Sequence, residues 1–579
     1  MRAMGDGTGA TGCKLSALAC GVANRLSAHP TIGSHTSTSA RARRTDQSSS
    51  AAASASSALR PNQPAFRPKT NGCCAREAEN LEKMTIGSLS NREVGLLANH
   101  IKVRRLLLLL LGLCSMSAHG QPQGEAPAFS HNVVWMAPFL TGGGYSSEAI
   151  SYAVALQALL PAGRLGAVQF AEQMDHAFAR GLPDATLRGL QAQMRRATAH
   201  FRVGSIAVCH STPDLWVPSI FAGWDSVAPC PPRGSRYAIG RTMYETDGLP
   251  PTWAARCNAL DEVWVPTEFH REVFAKSGVA RSKLVVVPEA TDTAFFDPAA
   301  HAPLALPDLP PLAPAPAATA AAGDGAAAAA AATAAAAAAA AAAVESDFLF
   351  LSVFKWERRK GWDVLLEAFL AEFRPWERAV LVIKTRPFYS EDDDFAGLVR
   401  RFAADKQLGA AAAAYAGDGG GGVAAAAPRI LVLDQEIPQR ELPRLYAAAD
   451  AFVLPSRGEG WGRPHAEAMS MGLPAIATNW SGPTAFMNER NSYPVEVEAL
   501  VPVPEGHAGH RWAQPSVAHL RARMRHVFEH REEARAVGRR ARRDMVEHFS
   551  PAPVAEIVFR RLQEVQRKLL ARDEVHQEL

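Results

Sequence analysis

The sequence predicts an α/β protein built from two largely parallel sheets, and three observations carry that expectation. From about His131 to Pro298, short apolar runs alternate with helical segments and turn residues, and the same alternation resumes from Asp347 to about Ser550. Residues 299–345 between these blocks are mostly Ala and Pro, a composition that joins domains rather than building one. At 579 residues the chain is long enough for two or three domains with cores of their own.

Taken in order, residues 1–125 are expected to be a disordered targeting region. The first 83 residues are rich in Ala, Ser, Thr and Arg and poor in acids, as in an organellar transit peptide. Lys102 to Gly120 instead has the form of a secretory signal, with a basic flank, an apolar stretch and small residues. Its apolar part is shorter than the roughly 20 residues a bilayer span needs, so cleavage near Ala118 or Gly120 is expected rather than an anchor. A start at Met84 would place that stretch at signal-peptide depth. The expected location is therefore the secretory pathway, in the endoplasmic reticulum or Golgi lumen, with a plastid or other organelle as the alternative.

The first domain, 130–298, opens with a strand at 132–139, a glycine loop at 141–149 and a helix at 151–160. Further strands are expected in GRLGAVQF, SIAVCH, RYAIGR, DEVWVP and KLVVVPE. The linker, 299–345, and a second insertion, Ala410 to Ala427, have nothing amphipathic to bury and read as flexible or transiently helical. The second domain, 346–550, has expected strands in FLFLSVF, RAVLVIKT, RILVLD, AFVLP and PAIAT, followed by closing helices from Val517 to His548. A last helix, Val554 to Leu570 within 551–579, is amphipathic and suited to packing back across both domains.

A net charge of +4 on so long a chain argues against nucleic acid as a partner, and Arg539 to Arg543 reads as a solvated helix face. Eight cysteines show no metal-ligand spacing. Cys209, Cys230 and Cys257, the three beyond the targeting region, read as small buried residues, or as one bridged pair in an oxidising lumen.

The chemistry concentrates in Ser456 to Met471, SRGEGWGRPHAEAMSM, which sets Glu459 and Glu467 eight positions apart across a loop-to-helix junction. Three glycines keep SRGEGWG out of helix, Pro464 suits a first helical turn, and Gly472 and Pro474 end the helix. The flanking AFVLP and PAIAT read as buried parallel strands, so the unit is strand, glycine loop, helix, strand. Ligands of such units sit at the carboxyl ends of the strands, where free helix amides favour phosphate by about 0.3–1 kcal/mol.

On these residues the second domain resembles the nucleotide-binding half of the retaining GT-B glycosyltransferases, the group that includes sucrose and glycogen synthases. The resemblance covers about 200 residues and implies two Rossmann-like domains facing each other across a cleft. Glu459 and Glu467 match the group's E-x7-E signature. By that resemblance Glu459 accepts hydrogen bonds from donor-sugar hydroxyls, and Glu467, in the first turn of the helix, binds the ribose. Gly460, Trp461 and Gly462 complete the donor-binding loop. The family places an Arg and a Lys five positions apart on the leaving diphosphate; here Lys355 and Lys360 hold that spacing, with Arg358 or Arg359 as further contributors. Fixed cations there lower the barrier because charge develops on the leaving group. A lysine in place of arginine is a departure, since it lacks the bidentate fork.

In the first domain, Gly142, Gly143 and Gly144 resemble the family's glycine loop near the diphosphate, against an ordinary turn. His210 resembles the histidine placed beside the donor sugar, against a structural strand-end histidine. Glu245 and Asp247 are candidates to meet the acceptor, with a turn at Asp247-Gly248 as the competing role. The acidic run Glu391 to Asp394 lies in a polar loop, and the cations already balance the diphosphate, so neither metal nor cofactor is expected.

The implied reaction is retaining transfer from a UDP- or GDP-type sugar donor to an unidentified acceptor hydroxyl, with association with a membrane left open. The rivals are a glycoside hydrolase, since paired carboxylates also serve that reaction, and a non-catalytic sugar-nucleotide-binding protein.

Overall fold

The computed structural model describes residues 128–170, 173–217, 229–313, 346–387, 394–408, 429–504 and 509–578. The expected targeting region 1–125, linker residues 314–345, and the insertion Ala410 to Ala427 lie outside them. From Phe129 onward the described residues form one compact unit.

Two six-stranded parallel sheets organise that unit. The first consists of β1 (Val133–Ala137), β2 (Leu165–Gln169), β3 (Ile206–His210), β4 (Tyr237–Arg241), β5 (Glu262–Val265) and β6 (Leu284–Val286), in the order β2-β1-β3-β4-β5-β6. The second consists of β7 (Phe348–Val353), β8 (Ala379–Lys384), β9 (Arg429–Leu433), β10 (Ala451–Leu454), β11 (Ala475–Thr478) and β12 (Tyr493–Val495), in the order β12-β11-β10-β7-β8-β9. Central strands such as VVWMA and AFVL are buried along their whole length, because helices cover both faces of a parallel sheet.

Strand order reverses between β1 and β3 in the first sheet and between β7 and β10 in the second. Loops leaving such neighbouring strands diverge and open a crevice beyond their carboxyl ends. Every site residue expected from the sequence lies on β3 or on the loops and helices that follow β1, β4, β7 and β10.

Three features differ from expectation. The helix after β1, α1 (Gly144–Leu156), begins seven residues earlier than the apolar run suggested, because Gly143 serves as its N-cap in extended conformation. The strand β12 and an antiparallel hairpin, β13 (Val497–Pro502) with β14 (Arg511–Pro515), were not expected, since YPV is short and β13 is largely exposed. Linker residues 301–313 are strapped to the second domain. Leu304, Leu306 and Leu309 pack on its core, and Leu304 N–H donates to Arg444 O (2.8 Å). Leucines spaced between prolines bury apolar surface even without regular structure.

Cys209 and Cys230 form a disulfide, whereas Cys257 is a buried thiol whose pKa burial pushes up to about 12. Asp394, from the acidic run, caps the helix Phe395–Asp405 by accepting from Gly397 N–H (2.7 Å). Among the described residues no helix is long and apolar enough to cross a membrane.

The second domain closes with α2 (Val517–Glu529) and α3 (Arg531–His548), after which α4 (Pro551–Glu578) crosses to the first domain. Val554, Val558, Leu562, Val565 and Leu569 recur at three- and four-residue spacing and enter one core cluster with Trp135, Tyr152 and Leu156. The last helix is thus a structural part of the first domain. Leu562→Ala should destabilise the protein by about 2–5 kcal/mol, read as a lowered urea midpoint. An unchanged midpoint would show that α4 is not part of that core.

Candidate active site

The loop after β7 and the loop after β10 are laced together. Arg457 N–H donates to Arg359 O (2.7 Å), and Ser456 Oγ donates to the same carbonyl (3.2 Å). The Arg457 guanidinium forks onto both oxygens of Asp363 (2.7 and 2.8 Å) and reaches Arg358 O (2.8 Å). At Gly361, φ is +68°, and an added Cβ would strike Pro455 O, so only glycine lets the loops approach this closely.

That approach brings Lys360 and Glu459 into direct contact. Lys360 Nζ lies 2.8 Å from each carboxylate oxygen of Glu459, and Arg359 Nη1 lies 3.3 Å from Oε2. Glu459 is only 5% exposed. Burial alone would raise its pKa, yet the charges of Lys360, Arg359 and His465 outweigh that and hold it at about 2. The backbone N–H of Glu459 donates to Ser481 Oγ (2.9 Å), fixing the loop from its other side. Lys355, just beyond β7, is partly buried, and its pKa is lowered by burial and by the charge of Arg386.

The helix after the glycine loop, Arg463–Ser470, starts at Gly462, whose φ is +101°, with Pro464 in its first turn. Glu467 is its fifth residue, so it stands in the second turn rather than the first. Tyr446 Oη donates to its carboxylate (2.9 Å), and Arg463 Nε is 3.9 Å away. Burial raises the pKa of Glu467 against both neighbours. Trp461 does not line the crevice: its ring is buried against Phe486 and Phe549, with centroids at 4.9 and 5.6 Å. An aromatic between two glycines resembles a ligand platform in sequence, but here it anchors the loop to the core.

In the first domain Gly142 has φ +73°, and an added Cβ would lie 3.2 Å from the Phe178 ring. A Cβ added at Gly143 or Gly144 would meet nothing within 4 Å, and no side chain caps the start of α1 by a hydrogen bond. His210 is a correction. It is fully buried, its Nδ1 accepts from Trp135 Nε1–H (3.1 Å), and its Nε2 bonds Glu148 (2.9 Å). Both ring nitrogens are therefore engaged, and none is left for a sugar hydroxyl. Burial lowers the His210 pKa against the opposing pull of Glu148. Glu148 Oε1 also accepts from Arg241 Nε (2.7 Å), so these three side chains form a buried linked set between α1 and the sheet.

The two domains touch along this crevice. A Cβ on Gly458 would strike Glu245 O, and one on Gly460 would strike Met243 Sδ. Glu245 Oε1 lies 3.6 Å from Arg359 Nη1, and Glu289 Oε2 lies 3.5 Å from Arg463 Nη1. Asp247 does not face the crevice as an acceptor ligand, because its carboxylate accepts from Arg511 N–H (2.7 Å) and Nε–H (2.9 Å). Arg359 as the hub, together with Arg463, Glu289 and Glu148, had no distinctive sequence signal beyond the basic run around Arg359.

Residues 345–503 match the family described as glycosyl transferases group 1. The match covers most of the second domain. The matched residues include the laced loops and both glutamates. The chain is 54% identical over 43 residues to the O-antigen chain mannosyltransferase B of Escherichia coli, a match covering 7% of this chain and 11% of that protein. Among solved structures it is similar to Anabaena HepE in complex with UDP and glucose, at 12% identity and TM-score 0.48, covering 75% of this chain and 100% of that one. It is also similar to sucrose-phosphate synthase from Thermosynechococcus elongatus, at 15% identity and TM-score 0.46, covering 76% of this chain and 100% of that one.

Because Glu459 shifts from 4.5 to about 2, its stabilisation is complete above pH 4.5 and is lost as pH falls through about 2. Urea midpoints measured from pH 5 to pH 2 should fall along this window, and Glu459→Gln should flatten that fall. An equally steep fall in the variant would remove the role of the pair.

Proposed function

We propose that the protein transfers a sugar from a nucleoside diphosphate donor to an acceptor hydroxyl with retention of anomeric configuration. The observation that carries this reading is the meeting of Lys360, Arg359 and Glu459 at the strand-order reversal of a group 1 glycosyltransferase domain. Lys355, Lys360 and Arg359 supply cations for a diphosphate. Glu459 and Glu467 supply acceptor oxygens for sugar and ribose hydroxyls, each charged hydrogen bond contributing about 1.5–3 kcal/mol. A UDP or GDP donor fits this set without a metal, since the cations balance the charge of the leaving group.

The glycosidic bond breaks toward the diphosphate, the acceptor oxygen bonds the anomeric carbon on the same face, and the acceptor proton passes to the leaving phosphate oxygen. Contact of Gly458 and Gly460 with the first domain would exclude water from that step. Hydrolysis by a carboxylate pair is the weaker reading. Both oxygens of Glu459 are held by Lys360 and Arg359, and residues 345–503 match a glycosyl transferase family rather than a hydrolase one.

A thermal-shift screen against UDP-, GDP- and ADP-sugars should find one class that stabilises the protein, by about 2.7 kcal/mol at 100 times its dissociation constant. A flat response to all three would sink the donor assignment. Lys360→Ala should then lower turnover about 30- to 1000-fold, or about 2–4 kcal/mol of transition-state stabilisation. Unimpaired turnover would remove Lys360 from the mechanism.

We further infer maturation in an oxidising lumen, supported by the disulfide between Cys209 and Cys230. Peptide mapping after alkylation, without reductant, should recover the crosslinked pair; two alkylated thiols would refute it.

A further inference from the structure

The geometry points to Glu245 as the first-domain residue that binds the acceptor hydroxyl, an inference that rests on the transferase reading above. Four observations converge on it. Glu245 lies a few residues beyond β4, its backbone carbonyl pressed on Gly458, the residue before Glu459. Its carboxylate is 34% exposed and stands 3.6 Å from Arg359 Nη1, the guanidinium nitrogen that also meets Glu459. On the other side lies Tyr145 of α1, at the end of the glycine loop, with its hydroxyl 3.3 Å from Thr242 Oγ1. Tyr145 has its pKa raised first by burial and then, against its bond to Thr242, by the Glu245 charge, which places that charge close by. Its neighbour Asp247 is committed to Arg511, which leaves Glu245 as the carboxylate of this segment that faces the cations.

Same-face transfer decides what such a group would meet. The acceptor must enter on the side of the leaving phosphate, between the diphosphate cations and the first domain. Glu459 and Glu467 already account for donor hydroxyls. A carboxylate is acceptor-only, so Glu245 would receive a hydrogen bond from a hydroxyl of the incoming acceptor and aim its oxygen at the anomeric carbon. The bond from the anomeric carbon to the phosphate oxygen breaks while that to the acceptor oxygen forms, and the proton goes to the phosphate. Glu245 neither gains nor loses a proton in the balance. The competing explanation is that Glu245 only clamps the domains through Arg359.

The test uses the full chain with the donor class that binds in the thermal screen, a panel of methyl hexosides as acceptors, and release of nucleoside diphosphate above the acceptor-free rate as the readout. Glu245→Ala should lower kcat at least 30-fold, while Glu245→Gln, which keeps an acceptor oxygen, should lose no more than about tenfold. Donor KM and the affinity for the free nucleoside diphosphate should stay within threefold in both. Asp247→Asn, which weakens the neighbouring interdomain pair, should keep kcat within threefold. Equal losses in the Ala and Gln variants, or nucleotide affinity falling in step with rate, would assign Glu245 to clamping and overturn the proposal. Unchanged kcat in Glu245→Ala would also overturn it. A wild-type protein that binds a donor yet releases no nucleoside diphosphate with any acceptor of the panel would overturn the transferase reading itself, a result distinct from any failure confined to the variants.

Discussion

The contact of Lys360 with both oxygens of Glu459 is the interaction on which the rest of the site depends. Buried ions are costly to desolvate, and only close pairing offsets that cost. Here the pairing is redundant, with Arg359 meeting the same carboxylate. It also requires two loops from different strands to lie against each other, and their geometry follows from that demand. Gly361 removes the Cβ that would block the approach, and the Arg457 fork on Asp363 holds the register. Removing Glu459 would leave Lys360 without this partner, whereas removing Lys360 would leave Arg359 on the carboxylate, so the glutamate is the more costly of the pair to lose.

The first domain repeats this logic without exposing it to ligand. Glu148 of α1, His210 of β3 and Arg241 of β4 form a fully buried set that ties α1 to the sheet. Burial and the nearby Glu148 charge push Glu289 up, and its carboxyl meets Arg463 of the other domain. Arg463 opens the helix that carries Glu467. The electrostatics of the two domains therefore join end to end, from Glu148 in α1 through Glu289 and Arg463 to Glu467, rather than ending at the crevice walls.

Much of this was legible in the sequence. Continuous apolar runs such as AFVL and AVLVIK marked buried parallel strands, and glycine loops between strand and helix marked the crevice. Resemblance to a known family put Lys360 and Glu459 in one expected set, and the structure places the two in direct contact. What failed to show was anything decided by tertiary partners. His210 ends a strand in the expected manner, but nothing in SIAVCH reveals that Trp135 and Glu148 occupy both its nitrogens. Trp461 sits within the signature loop, yet the cavity that swallows it is made by Phe486 and Phe549 from distant segments. The hairpin β13–β14 lacked strand periodicity because one of its strands faces solvent, and its purpose is visible only where Arg511 meets Asp247.

The crossing of α4 has a consequence for how the chain becomes a folded protein. The first domain's core is completed by Val554, Val558, Leu562, Val565 and Leu569, which are the last core residues to be synthesised. Domains generally fold in order as they emerge, but this one must wait with Trp135 and Leu156 incompletely covered until the far end of the chain arrives. The second domain has no such dependence on a later segment beyond α3. Assembly therefore runs against the order of synthesis, and the domain expected to receive the acceptor is the last to acquire its final shape.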